Sequence, residues 1–256
     1  MPYAKSKGTD IYFETHGKGP AIIFAHGAGG NAAIWFHQLA HFKENHQCIV
    51  FDHRSFARSP APDSSITIPS FRDDILSIMD ELQIDKAHLV GQSMGGYSVL
   101  RCALDQPKRV NTLTLSCTPA GIPIPNPTES VKNLGARGAE GIQATMSKKT
   151  FENPVLVQLY ASIQSFNTEF SFERLSALRR EEDQVNIDLL GSMEIPTLFI
   201  SGREDPLFLP EQLSQLVPHF HSASIKIVDD AGHSPYSVSY THLRAHETRE
   251  DLVLRV

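Results

Sequence analysis

No stretch of the 256 residues approaches the roughly 18 consecutive apolar positions that a membrane-spanning helix needs, so no membrane span is expected. Nor does a basic run stand out: 23 Lys and Arg face 29 Asp and Glu, a net charge of −6, which argues against nucleic acid as a partner. Cysteines are few and odd in number. Cys48, Cys102 and Cys117 sit inside apolar stretches without metal-ligand spacing and read as buried free thiols of a reducing compartment. Neither a metal nor another cofactor is called for. The opening MPYAKSKGTD carries lysines but no apolar block after them, and the expected location is cytoplasmic. Hydrophobic residues at 41% and charged residues at 20% lie in the globular range, which excludes wholesale disorder and a collagen-like fibre.

What the chain does have is alternation. Short β-rich runs begin at Ile11, Ala21, Cys48, Ala87, Thr112, Thr197 and Ser224, with helical patterns between them near residues 32–44, 70–82, 94–106 and 209–217. Ile75, Ile78, Met79 and Leu82 recur at the spacing that lays a helix on a sheet. This is the signature of an α/β fold, a mostly parallel central sheet flanked by helices. Residues 119–188 break the pattern: a proline-rich entrance, TPAGIPIPNPTE, leads into helical stretches such as PVLVQLYASIQSF and FERLSALRREED without a convincing strand. A gap this long is read as a helical cap inserted after the sixth strand, with residues 1–118 and 189–236 as the core.

Chemistry enters at Gly91-Gln92-Ser93-Met94-Gly95, a G-x-S-x-G between a strand and a helical run. The pattern alone is weak; the strand-to-helix setting is what the motif demands. The small residues Gly91 and Gly95 are expected to let the backbone turn sharply, lifting Ser93 above the sheet. The Met94 N–H then faces the site at a helix N-terminus, where an oxyanion is favoured. A serine hydroxyl is a poor nucleophile at neutral pH, so a base and an orienting acid are required. Asp205 follows the strand TLFISG and His233 follows SIKIVD, each delivered to the same sheet edge as Ser93 and in the chain order Ser, Asp, His. Asp229 and Asp230 stand too close to His233 in sequence to be the acid and read as turn residues; Glu204 would point away, and the strand ending in Cys117 offers no carboxylate. The glycine-rich turn His26-Gly27-Ala28-Gly29-Gly30 can bring the Ala28 N–H beside that of Met94 as a second oxyanion donor, with His26 structural beneath it. The rival phosphate-cradle pattern G-x-x-x-x-G-K-[ST] is absent.

From IYFETHGKGPAIIFAHGAGG through FDHRSFARSPAP and LVGQSMGG to PTLFISGREDP and DDAGH, the sequence resembles the α/β-hydrolase superfamily, in its lid-bearing serine esterase and lactonase branch. The resemblance implies a Ser93 nucleophile, a His233 base, an Asp205 acid, and an oxyanion hole from Ala28 and Met94. A serine nucleophile sets the chain apart from epoxide hydrolases and haloalkane dehalogenases, which use aspartate. The expected activity is hydrolysis of a small-molecule carboxylic ester or lactone through an acyl-enzyme. C–C bond hydrolysis, lyase or perhydrolase chemistry on the same triad, or an inactive ligand-binding role, are the alternatives. The family's D-H-R-G-x-G-x-S loop here reads Asp52-His53-Arg54-Ser55-Phe56-Ala57-Arg58-Ser59, and the two missing glycines are expected to strain or restructure that turn.

Trp35, Phe166 and Leu207 are the candidates for substrate contact among the aromatic and apolar residues near the cap and the nucleophile. Residues 237–256 do not hold a sustained apolar stripe, and YTHLRAHET resembles translated library-adapter sequence; this tail is expected to be non-native, in place of a C-terminal helix.

Overall fold

The computed structural model describes residues 2–132, 146–168, 178 and 184–237. Eight strands, β1 (Tyr3–Ser6), β2 (Thr9–His16), β3 (Ala21–Ala25), β4 (Gln47–Phe51), β5 (Ala87–Gln92), β6 (Val110–Ser116), β7 (Thr197–Gly202) and β8 (Ala223–Val228), form one sheet. Their order is β1-β2-β4-β3-β5-β6-β7-β8. Only the β1–β2 and β2–β4 pairings are antiparallel; the rest are parallel. The chain runs from β3 to β4 on one side and then to β5 on the other. Such a reversal opens a crevice at the carboxyl ends of the strands, where loops after neighbouring strands converge.

β3 shows why the strands are apolar without alternation. Ile22 and Phe24 pack into one buried cluster with Trp35 and Val50, while Ile23 and Ala25 pack into the other with Phe51, Leu89 and Val99. Successive side chains point to opposite faces, so a strand covered on both sides must be apolar at every position. The helix α1 (Phe36–Phe42) lies on the first cluster's side, while α2 (Ile68–Glu81) and α3 (Met94–Asp105) supply residues to the second. In α2, Ile75, Ile78 and Met79 are buried as the spacing predicts, and Leu82 packs against them just past its end. The Thr67 hydroxyl accepts from the Ser70 N–H at 3.1 Å, so α2 starts at Ile68 rather than at residue 70. At roughly 1.5–3 kcal/mol for each large side chain, that buried face outweighs any propensity term.

Several boundaries move for identifiable reasons. β1 has no apolar run to announce it. It is an edge strand whose Ala4 and Ser6 alone turn inward, joined to β2 through Lys7 and Gly8 at φ +46° and +83°, the pair of left-handed residues a two-residue hairpin turn requires. The helix expected over 32–44 begins as a 3-10 turn, Ala32–Trp35, before α1. The one expected over 209–217 stops at Ser214 and gives way to a second turn, Val217–His219, that contains Pro218.

Between β6 and β7 the described residues form α4 (Glu129–Lys132), α5 (Lys148–Phe151), α6 (Pro154–Gln164) and a 3-10 turn, Ile187–Ser192, with no strand among them. The PVLVQLYASIQSF pattern is α6; of FERLSALRREED only Leu178, which is buried, falls within the described residues. The tail from residue 238 onward lies outside them. After β7 comes α7 (Pro210–Ser214). Cys48, Cys102 and Cys117 are free and buried, as expected, and burial pushes the Cys48 thiol up to about 12. No helix among the described residues is long and apolar enough to cross a membrane.

Candidate functional site

The turn from β5 into α3 places Ser93 at φ +50°, ψ −115°, a left-handed conformation that costs an L-residue about 1–2 kcal/mol. Gly91 and Gly95 do not take that strain themselves, since neither has a positive φ. They are required by proximity. A Cβ on Gly95 would lie 2.2 Å from the Ala25 carbonyl oxygen, and one on Gly91 2.5 Å from Val99 Cγ2. The spacing of the motif thus lets α3 lean directly on β3, while the serine between the glycines absorbs the bend. Its N–H donates to the Ser116 carbonyl at 2.9 Å, which fixes the turn to β6.

β7 and β8 bring the other two groups. Asp205 is 1% exposed, and its Oδ1 accepts from the N–H groups of Leu207 at 2.8 Å and Phe208 at 3.2 Å. His233 Nδ1 lies 3.0 Å from Asp205 Oδ2, and its Nε2 lies 2.8 Å from Ser93 Oγ. One assignment of protons satisfies all three: Nδ1–H donates to the carboxylate, and Nε2 accepts the serine O–H. The competing acids are occupied elsewhere. Glu204 accepts from the Lys148 N–H at 3.0 Å, Asp229 pairs with Arg203, and Asp230 pairs with Lys149 at 3.5 Å.

Two positions carry roles that sequence patterns do not mark. Gln92, the variable residue before the serine, is 3% exposed and donates through Nε2 to the His233 carbonyl at 2.9 Å, tying the serine turn to the histidine loop. Cys117 has φ +49°, and its Sγ accepts from Gly202 N–H at 3.4 Å and approaches the Gly232 carbonyl at 3.8 Å, between the loops that bear the acid and the histidine. Burial first, and then the neighbouring Asp205 carboxylate, push this thiol well above the usual range, so it sits as a neutral S–H. Among the described residues, Cys117, Asp205 and His233 are the only group whose side chains can hold a metal ion, with ligand atoms within 4.8 Å of one another. Asp205 and the imidazole are bonded to each other there.

The glycine loop follows β3, whose Ala25 is paired with Gly91 of β5, so the loop runs alongside the serine turn. A Cβ on Gly27 would meet Gln92 Oε1 at 2.0 Å, so a side chain there would have to push the Gln92 amide aside. Among the described residues, neither the Ala28 N–H nor the Met94 N–H has a hydrogen-bond partner. His26 lies beneath the loop, fully buried. Its Nδ1 donates to the Gly27 carbonyl at 2.8 Å, and its Nε2 accepts from the His53 N–H at 3.0 Å. Burial holds its pKa down at about 4, so the ring is a neutral strut.

The expected substrate contacts differ in exposure. Leu207 is 3% exposed and adjoins the acid through its N–H; Trp35 is 2% exposed, its ring 5.2 Å from Phe24 and 5.4 Å from Tyr236; Phe166 is 67% exposed. Phe208, which follows Leu207, has its ring centre 5.8 Å from that of His233.

A family model described as the alpha/beta hydrolase fold matches residues 20–141. The chain is 34% identical over 115 residues to a protein named as a carbamate hydrolase, RutD, of Azorhizobium caulinodans, a match covering 45% of this chain and 43% of that protein. The chain thus spans less than half the length of that relative. It is 27% identical over 221 residues to 3-oxoadipate enol-lactonase 1 of Acinetobacter baylyi, covering 82% of this chain and 80% of the relative. The solved enol-lactonase of Burkholderia xenovorans superposes with a TM-score of 0.79 at 23% identity, over 95% of this chain and 97% of that one.

Proposed function

We propose that this chain, an α/β hydrolase by fold, is a serine hydrolase that cleaves a carboxylic ester or lactone through an acyl-enzyme on Ser93. The observation that carries this reading is the continuous line from Ser93 Oγ to His233 Nε2 at 2.8 Å and from His233 Nδ1 to Asp205 at 3.0 Å. In it, His233 takes the serine proton as Oγ attacks the carbonyl carbon, and Asp205 holds the Nδ1–H tautomer and stabilises the imidazolium. The Ala28 and Met94 N–H groups receive the oxygen of the tetrahedral intermediate; one such donor is worth roughly 2.7–4 kcal/mol in other enzymes. The imidazolium then protonates the leaving alcohol, and water, activated by the same histidine, releases the acid. Residues 119–188 act as the cap, with Trp35, Phe166 and Leu207 shaping the substrate's surroundings.

The lactone and ester class is supported by the similarity to an enol-lactonase over most of the chain. Similarity to a named carbamate hydrolase makes a carbamate the second substrate class, cleaved by the same acyl transfer. The test is covalent labelling with an organophosphonate, followed by a panel of esters, lactones, carbamates and a vinylogous diketone. Mass spectrometry should find one adduct, on Ser93, and Ser93→Ala should lose both the adduct and on the order of 10⁶ in kcat. A folded protein that resists labelling, or a Ser93→Ala loss below about tenfold, would refute the covalent mechanism.

A further inference from the structure

We infer that Asn167, just past the C-terminus of α6 in the segment inserted between β6 and β7, is a positioning residue that holds the oxyanion loop in register. The inference rests on the serine-hydrolase reading above. Asn167 is 8% exposed, and every polar atom of its carboxamide is engaged. Nδ2 donates to the carbonyls of Gly29 at 2.8 Å and Gly30 at 3.1 Å, one hydrogen for each, and Oδ1 accepts from the Ala57 N–H at 3.1 Å. One side chain therefore pins the carbonyls of the two residues that follow Ala28 and joins them to the Asp52–Ser59 loop.

The hold is reciprocated from the core. Asn31, at the far end of the same glycine loop, donates through Nδ2 to the Ile163 carbonyl at 2.8 Å, near the C-terminus of α6. Its Oδ1 accepts from the Ala33 N–H at 3.0 Å and caps the next turn. Two buried amides thus cross between segments more than 130 residues apart in sequence, one donating in each direction.

The loop needs such an external hold. Between His26 and Asn31 it consists of three glycines and one alanine, with Gly29 left-handed at φ +77°, and its one internal backbone bond is Gly30 N–H to the Gly27 carbonyl at 3.0 Å. Glycines leave a segment many conformations to lose, and catalysis by a preorganised donor depends on that loss being paid before substrate binds. With Asn167 in place the direction of the Ala28 N–H is set by a residue of the insertion, through the two carbonyls it holds.

Four variants of the full chain test this: Asn167→Ala, Asn167→Asp, Asn153→Ala and Ser93→Ala. Asn167→Asp keeps the acceptor for Ala57 but faces two carbonyls with no donor. Asn153 caps the opposite end of α6, accepting from the Val155 and Leu156 N–H groups, and touches nothing in the glycine loop. Both Asn167 variants should lower kcat about tenfold or more while KM stays within about twofold, and should slow organophosphonate labelling of Ser93 by the same factor. Asn153→Ala should match the parent in kcat even if it melts lower. Unchanged kcat in both Asn167 variants overturns the inference, as does an equal loss in Asn153→Ala, which would mean that loosening the helix alone suffices. Retention of activity by Ser93→Ala would instead strike at the serine-hydrolase reading beneath it.

Discussion

Ala57→Gly should stabilise the protein. Ala57 sits at φ +38° and its neighbour-but-one Ser55 at φ +68°, the two places where the resembling family carries glycine. Both residues hold left-handed backbone, so the turn carries the steric cost of a side chain at each. That cost is about 1–2 kcal/mol for an L-residue. Glycine removes it but gives back about 0.4–1 kcal/mol through the greater freedom of the unfolded chain. Ala57 contributes a backbone N–H bond to Asn167, which glycine preserves, and only a half-buried methyl is lost. The net gain is about 0.5–1 kcal/mol, or roughly 1–4 °C in melting temperature for a chain of this size. Ser55→Gly is the internal comparison: its hydroxyl donates to the Ala61 carbonyl at 3.0 Å, and losing that bond should cancel most of the relief. Urea unfolding of the two variants beside the parent is the assay. A lower midpoint for Ala57→Gly, or a larger gain for Ser55→Gly, would refute the assignment of strain to backbone handedness.

Further outcomes follow from groups buried in this loop and against it. Arg54 and Asp74 are an almost fully buried bidentate pair, Arg54 Nε to Asp74 Oδ2 at 2.8 Å, so Asp74→Ala should cost about 3–5 kcal/mol by stranding the guanidinium, whereas Arg54→Met with Asp74→Leu should recover most of it; a single-variant loss below about 1 kcal/mol by urea unfolding would contradict this. Acid should weaken the fold through its buried histidines. His26 is held neutral down to about 4, and burial lowers His53 as well, so on falling from pH 6.5 the unfolded chain takes up protons first. Stability present above pH 6.5 is therefore lost progressively and is gone for His26 by about pH 4, a change of about 3 kcal/mol. Both ring nitrogens of His53 lack a partner among the described residues, and its ring stacks on Phe71 at 4.7 Å. His53→Phe should accordingly reduce the loss between pH 7.5 and 5, measured by denaturant midpoints; an undiminished loss would show that His53 does not contribute.

The parallel strands were legible because burial on both faces leaves nothing polar in a run such as AIIFA, and the α2 stripe because a helix on a sheet hides one face only. β1 was not, since an edge strand with two inward residues has no period to detect. Boundaries slipped where a hydroxyl cap or a proline, rather than hydrophobicity, decides the end, as at Thr67 and Pro218.

At the site the readable residues were those whose chemistry is tied to a local rule: Ser93 between two glycines, Asp205 and His233 just after strands. The unreadable ones act by reach. Gln92 occupies a position the motif leaves free, yet its amide bonds a carbonyl 141 residues away; Asn167 looks like an ordinary turn asparagine until the glycine loop is folded beside it. Neither has a sequence neighbour that explains it, because each satisfies a backbone carbonyl on another loop, and such a debt exists only once the loops meet. Gly91 and Gly95 show the same limit from the other side. Their identity and the need for small residues were evident; that the smallness serves a close approach of α3 to β3, with the strained backbone left to Ser93, was not.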